Sequence, residues 1–260
     1  MTMTNGSPTG RSGSMAGQPG ATFPKRFYKA ATTAPEAGGF ALLLDGKPAR
    51  TPARNPIVLP TEALAQAVAD EWAAVETTID PRDMPLTRLV NSVIDGVSRT
   101  EAAVREEILR YAGSDLLVYR APDPADLVRI QRDAWDPVLA WARDAFGAAV
   151  NTGEGVMFVA QPADLVAHLG RALDGAVGTG VAAPFRLGAL HVMTTLTGST
   201  LLGLAVSHGQ LQADEAWLAA HVDEDYQIAQ WGADEEAAQR RALRWAEMRT
   251  AARVLTLLRS

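Results

Sequence analysis

The sequence predicts an α+β protein, with a small β-rich N-terminal domain followed by a mainly α-helical C-terminal domain. Two observations carry this. Between Phe27 and Leu59 the apolar residues fall in short extended runs separated by Gly, Pro and Asp-Gly. From Thr61 onward they recur at i, i+3, i+4 and i+7, the period of an amphipathic helix. A third observation is compositional: 260 residues with 47% hydrophobic and 21% charged side chains suffice for a sizeable core. The domain limits read as a tail over residues 1–22, a β-rich α+β domain over 23–85 and a helical domain over 86–260.

Phe27 and Tyr28 open an extended run that is expected to break at Pro35, Gly38 and Gly39. Residues 40–44 make a short apolar strand. Asp45-Gly46 is the strongest hairpin signal in the chain, because both central positions of the favoured turn need positive φ. Residues 47–51 would return antiparallel, confined to an edge by Pro48 and Pro52, and 57–59 add one more strand. Thr61 then suits a helix N-cap, with Leu64, Val68, Trp72 and Val75 on one face. Leu86, Leu89, Val90, Val93, Ile94 and Val97 mark a second amphipathic helix. Ser98 to Glu101 reads as a capping box, and Asp136-Pro137 as an N-cap with proline at the first helical position.

Residues 1–22 are mostly Ser, Gly, Thr and Pro with Arg11 as the sole charge, too little apolar surface to offset ordering entropy. They form no signal-peptide core and no amphipathic transit peptide, so a bacterial cytoplasmic location is expected, or the mitochondrial matrix if the source is eukaryotic. Cysteine is absent, which excludes disulfides, thiolate nucleophiles and iron–sulfur clusters. The balance of 24 Lys+Arg against 30 Asp+Glu argues against nucleic-acid binding. Residues 187–212 carry no charge, yet their histidines, threonines and glycines suit a core helix rather than a membrane span.

The search for chemistry is mostly negative. There is no phosphate-binding loop, no nucleophile elbow and no His-Glu-x-x-His pair. Gly175, Gly178 and Gly180 suit a helix–helix connection. His168, His191, His208 and His221 are too far apart to read as a ligand set. Two places stand out. Glu71-Trp72 sits on the first amphipathic helix, where Trp72 reads either as a core anchor or as an exposed contact. Asp223 to Asp225, with Tyr226, Gln227 and Trp231, reads as an acidic, aromatic junction near a helix C-terminus, where negative charge opposes the dipole. Such a local violation suits a binding surface, while ion pairs to Arg240, Arg241 or Arg244 are the rival reading.

Several blocks resemble a known family. They are Phe23-Pro24-Lys25-Arg26-Phe27-Tyr28, Leu44-Asp45-Gly46-Lys47-Pro48 with Arg50-Thr51-Pro52, Glu71-Trp72, Ile79-Asp80-Pro81, Met84-Pro85-Leu86-Thr87-Arg88-Leu89 with Asn91, Asp115 with Tyr119-Arg120, and Tyr226-Gln227 with Trp231-Gly232. In this order they resemble the ATP12 family of assembly chaperones, which hold the free alpha subunit of the F1 sector of ATP synthase until the beta subunit replaces it. The resemblance implies no catalysis and the alpha subunit as partner; a monomer with no cofactor, no metal and no membrane insertion is expected. Trp72, Glu224, Asp225, Gln227 and Trp231 are the expected partner-binding residues. The alternative is an enzyme with a carboxylate and histidine site in a pocket of the helical domain.

Overall fold

The computed structural model describes residues 23–259, so the expected tail lies outside them. Strands β1 (Ala31–Glu36), β2 (Gly39–Leu44), β3 (Lys47–Pro48) and β4 (Val58–Leu59) form one antiparallel sheet. The central β2 pairs with the other three, with Leu43 opposite Pro48 and Phe40 opposite Leu59. Asp45 and Gly46 both adopt positive φ, at 48° and 75°, as the hairpin reading requires. The first strand does not break at Pro35. It runs on to Glu36, with Pro35 opposite Phe40, because β1 is an edge strand and tolerates a missing N–H.

Helix α1 (Glu62–Ala73) packs across the sheet. The Thr61 hydroxyl oxygen caps it by accepting from Leu64 N at 3.2 Å. A 3-10 turn, Pro81–Asp83, leads into α2 (Pro85–Asp95), and then come α3 (Glu101–Ala112) and a two-residue strand β5 (Tyr119–Arg120). Helix α4 (Ala125–Phe146) follows, and then β6 (Gly153–Glu154), parallel to β5. The remaining helices are α5 (Leu165–Val177), α6 (Ala183–Thr197), α7 (Thr200–Ser207), α8 (Ala213–Ala220), α9 (Val222–Trp231) and α10 (Glu235–Leu257). The α+β class with a sheet first and helices after is thus observed. The buried apolar residues form one contiguous cluster from Tyr28 to Leu258.

The uncharged stretch becomes two helices, α6 and α7, split where Gly198 ends one with a left-handed φ of 68° and Ser199 caps the next. Both are largely buried, and no described helix is long and apolar enough to cross a membrane. Gly178 and Gly180 join α5 to α6, as the spacing suggests, while Gly175 lies inside α5.

Two expected helix starts are not seen. Thr100, not Ser98, precedes α3, and the Ser98 hydroxyl donates back to Ile94 O at 2.9 Å. This short-range bond competes with capping. Pro137 lies inside α4 rather than at its start. The chain breaks earlier, after the prolines at 122 and 124, and Asp136 turns to pair with Arg120 at 2.8 Å.

Two carboxylates, Glu71 half-buried and Asp115 buried, organise the helices. Glu71 accepts from Leu86 N (2.9 Å), Thr87 N (2.7 Å) and the Thr87 hydroxyl (2.6 Å), so it caps α2 from the neighbouring helix. Met84, the residue in the capping position, offers no side-chain bond. We expect Glu71→Ala to cost about 2 kcal/mol, with Glu71→Gln intermediate, in denaturant unfolding. A change below about 0.5 kcal/mol, the usual range for surface substitutions, would show the cap to be dispensable.

Asp115 is 1% exposed and accepts from Leu117 N and Leu201 N, both at 3.1 Å. It thereby ties the turn before β5 to the start of α7. Burial pushes its pKa up to about 6, against the opposing hydrogen bonds from Ser199, Leu117, Leu201 and Thr200. The folded state therefore holds this proton more tightly than the unfolded chain does. Its contribution to stability is full below about pH 4 and is lost as pH rises through about 6, a swing of roughly 3 kcal/mol. Wild type should lose that much relative to Asp115→Asn between pH 4 and 7 in urea melts. A pH-independent difference would place the pKa at its ordinary value.

Candidate functional site

The acidic, aromatic segment is built around a break in the helix. Helix α8 ends at Ala220 and α9 begins at Val222, with His221 between them. The His221 ring stacks on Trp217, with centroids 3.9 Å apart, and its Nδ1 lies 2.7 Å from Trp217 O. Burial lowers the His221 pKa, so the imidazole is neutral at pH 7 and donates from Nδ1 to that carbonyl. The 3.9 Å approach of Glu224 to Nε2 is therefore no ion pair at that pH.

This break corrects the expectation for residues 223–225. They occupy the first turn of α9, not the end of a helix, so their charge favours the dipole. The sequence carries no glycine or proline at His221 to announce a boundary. Two of the three acids have partners. Asp223 accepts from Gln131 Nε2 at 2.6 Å, while Gln131 Oε1 accepts from Ala121 N at 2.8 Å. Asp225 is paired with Arg241 of α10, and that bond raises the arginine pKa. The expected ion pair to Arg241 is thus present. Arg244 instead donates to Leu196 O, and Arg240 pairs with Glu236.

Trp231 is 79% exposed at the end of α9, and Gln227 is exposed one turn before it. Gly232 follows with positive φ but extended ψ (90°, 166°), outside the left-handed helical cap. Asp234 then caps α10, accepting from Ala237 N at 2.7 Å.

Beside this segment the surface holds two apolar cavities. One, of about 550 Å³, lies between α4, α8 and α9, and its lining includes Ile130, Leu211, Leu218, Val222 and Tyr226. The other, of about 350 Å³, lies between α8 and α10 and is lined by Trp217, Leu218, Ala242 and Trp245 with Asp214 and Arg241. Leu218, 58% exposed, is the wall they share. Sequence reasoning missed it, although adjacent apolar Trp217 and Leu218 cannot both face one core. Trp217 faces inward, and Leu218 faces out.

None of the four histidines lines either cavity. His168 contacts Phe146 O, His191 lies 3.0 Å from Glu107, and His208 packs against Trp141 and Phe146. Among the described residues no three histidines or carboxylates are grouped to hold a metal.

A sequence model of the ATP12 chaperone family matches residues 25–143. The crystal structure of Atp12 from Paracoccus denitrificans is 42% identical, covers 90% of this chain and 97% of its own, and superposes with a TM-score of 0.83. This chain belongs to the ATP12 chaperone family. A candidate chaperone from Agrobacterium tumefaciens is 50% identical over 91% of this chain and 87% of its own, with a TM-score of 0.85. The mitochondrial protein atp12 of Schizosaccharomyces pombe is 22% identical over 82% of this chain and 75% of its own.

The ATP12 blocks seen in the sequence divide by position. Glu71 caps α2, and Asp115 ties two helices together. Trp72 lies on α1 rather than beside α9, half-buried, with its ring 5.5 Å from that of Tyr28. The Tyr28 hydroxyl donates to Trp72 O at 2.7 Å. The indole Nε1 is buried and has no acceptor among the described protein atoms. The structure therefore brings Glu224, Asp225, Gln227 and Trp231 onto one short helix but leaves Trp72 on α1, against Tyr28. We expect Trp72→Ala to cost about 3 kcal/mol, and Trp72→Phe less than about 1.5 kcal/mol since no hydrogen bond is lost. Equal losses for both variants in thermal melts would show that the indole N–H finds a partner.

Proposed function

We propose that this ATP12-family chain binds the unassembled alpha subunit of the F1 sector of ATP synthase and shields its interface until the beta subunit replaces it. One observation carries this reading: a largely apolar surface with acidic side chains is left open around α8 and α9 in a chain of a chaperone family. Trp231 at 79% exposure and Leu218 at 58% stand on that surface. Large apolar side chains in such a cluster mark interaction surfaces on soluble proteins. An unassembled subunit presents the complementary problem, since its own apolar interface stays bare and prone to aggregate.

Glu224, Asp225, Gln227 and Trp231 supply the contacts in this reading, with Trp231 as the aromatic anchor and the acids setting orientation. The chain acts as a monomer and without catalysis or a cofactor, in the bacterial cytoplasm or the mitochondrial matrix. A variant at Trp72 that keeps native stability yet loses the client would add that residue to the contact surface.

The test is capture of purified alpha subunit by the purified chain. Native protein should retain it, and the beta subunit should displace it. Replacing Glu224 and Asp225 by Gln and Asn should weaken capture and make it less salt-dependent. Stability should fall by no more than about 1 kcal/mol, because the Asp225–Arg241 pair is partly exposed. Failure of the native chain to hold the alpha subunit would overturn the proposal. Unchanged capture by the double variant would remove these acids from the contact surface.

A further inference from the structure

We propose that the groove between α4, α8 and α9 receives one amphipathic helix of the client, apolar on the face that enters and basic along its flanks. This rests on the alpha-subunit reading above and adds which surface docks it and what kind of segment fits.

Shape gives the first argument. The 550 Å³ groove has helical walls with Ile130 on one side and Leu218 on the other, and Val222, Tyr226 and Ala229 belong to its lining. Ile130 and Leu218 are exposed although they are large and aliphatic, at 36% and 58%. A row of aliphatic and small side chains between helices matches the way amphipathic helices dock, with residues at i, i+3 or i+4 and i+7 filling successive notches. The 350 Å³ cavity across Leu218 continues the apolar surface towards Trp217 and Trp245.

Charge gives the second. Four carboxylates line or border the two cavities, namely Asp214, Glu215, Asp225 and the adjacent Glu224 on α9. Among the described residues Arg241 is the only cation lining either cavity, and it is already engaged by Asp225. The remaining field is negative and lies over an apolar floor, so it favours a segment with lysine or arginine beside its apolar face. An acidic helix or a second copy of this acidic chain would meet like charge.

The experiment uses the full chain and purified F1 alpha subunit in three arms. Leu218→Glu and Ala229→Trp, both at exposed positions, should each weaken binding by about tenfold while leaving the melting temperature unchanged. The Asp214→Asn/Glu215→Gln pair should flatten the salt dependence. A photo-crosslinking amino acid at position 218 should attach to a helical segment of the alpha subunit that has basic flanks. If the native chain binds and both groove variants bind equally well, the groove is overturned and the alpha-subunit reading stands. Attachment to a strand, to an acidic segment or to a second copy of this chain would overturn the occupant. If the native chain itself does not bind, both readings fall together.

Discussion

The carboxylate of Glu71 on the N-terminus of α2 is the contact on which the layering of the molecule depends. A helix that begins at Met84-Pro85 has no side chain of its own to satisfy the first amides, and proline removes only one of them. Glu71 fills two from the preceding helix, which fixes the distance and angle between α1 and α2. The other end of α2 is tied by Asp95, which accepts from the Thr51 hydroxyl, Asn55 Nδ2 and Ala53 N at 2.6, 2.7 and 3.1 Å. Helix α2 is thus tied to α1 at one end and to the loop between β3 and β4 at the other, while its side packs on α6 and α10. The sheet and the helices share one core because of this clamp.

Much of the architecture was legible in the sequence. A short apolar run gave β2, Asp45-Gly46 gave the hairpin, and helical periodicity gave α1 and α2. What was illegible is mostly where helices start and stop. Pro137 looks like a start, yet α4 runs through it. His221 looks like a helix interior, yet its ring on the Trp217 carbonyl marks a break. That second error inverted the electrostatic reading of residues 223–225. Placed in a first turn, these acids need no special explanation, and two of them are structural. The argument for a contact surface therefore moves from charge to exposed Trp231 and Leu218. Of these, Trp231 was named from its neighbours, and Leu218 was hidden beside a buried tryptophan.

The α9 region also shows how a surface can stay open without loosening the fold. Beyond Val222 in the core, its attachments are polar: Asp223 to Gln131 towards α4, and Asp225 to Arg241 towards α10. These bonds hold the helix from its base. Ile130, Leu218 and Trp231 are then not required for internal packing and remain available on the outside. A purely apolar attachment would have consumed the same side chains.

The Thr61 hydroxyl, besides its oxygen accepting the first amide of α1, donates to Leu257 O at 2.8 Å, across 196 residues of chain. Helix α10 also rests on α2, α6 and α8. On a ribosome adding about 5–20 residues per second, the start of α1 waits roughly 10–40 s for that carbonyl. The sheet and the early helices must therefore survive with one flank uncovered while synthesis continues. This protein covers that flank of its core only when α10 arrives, and until then it shares its client's predicament.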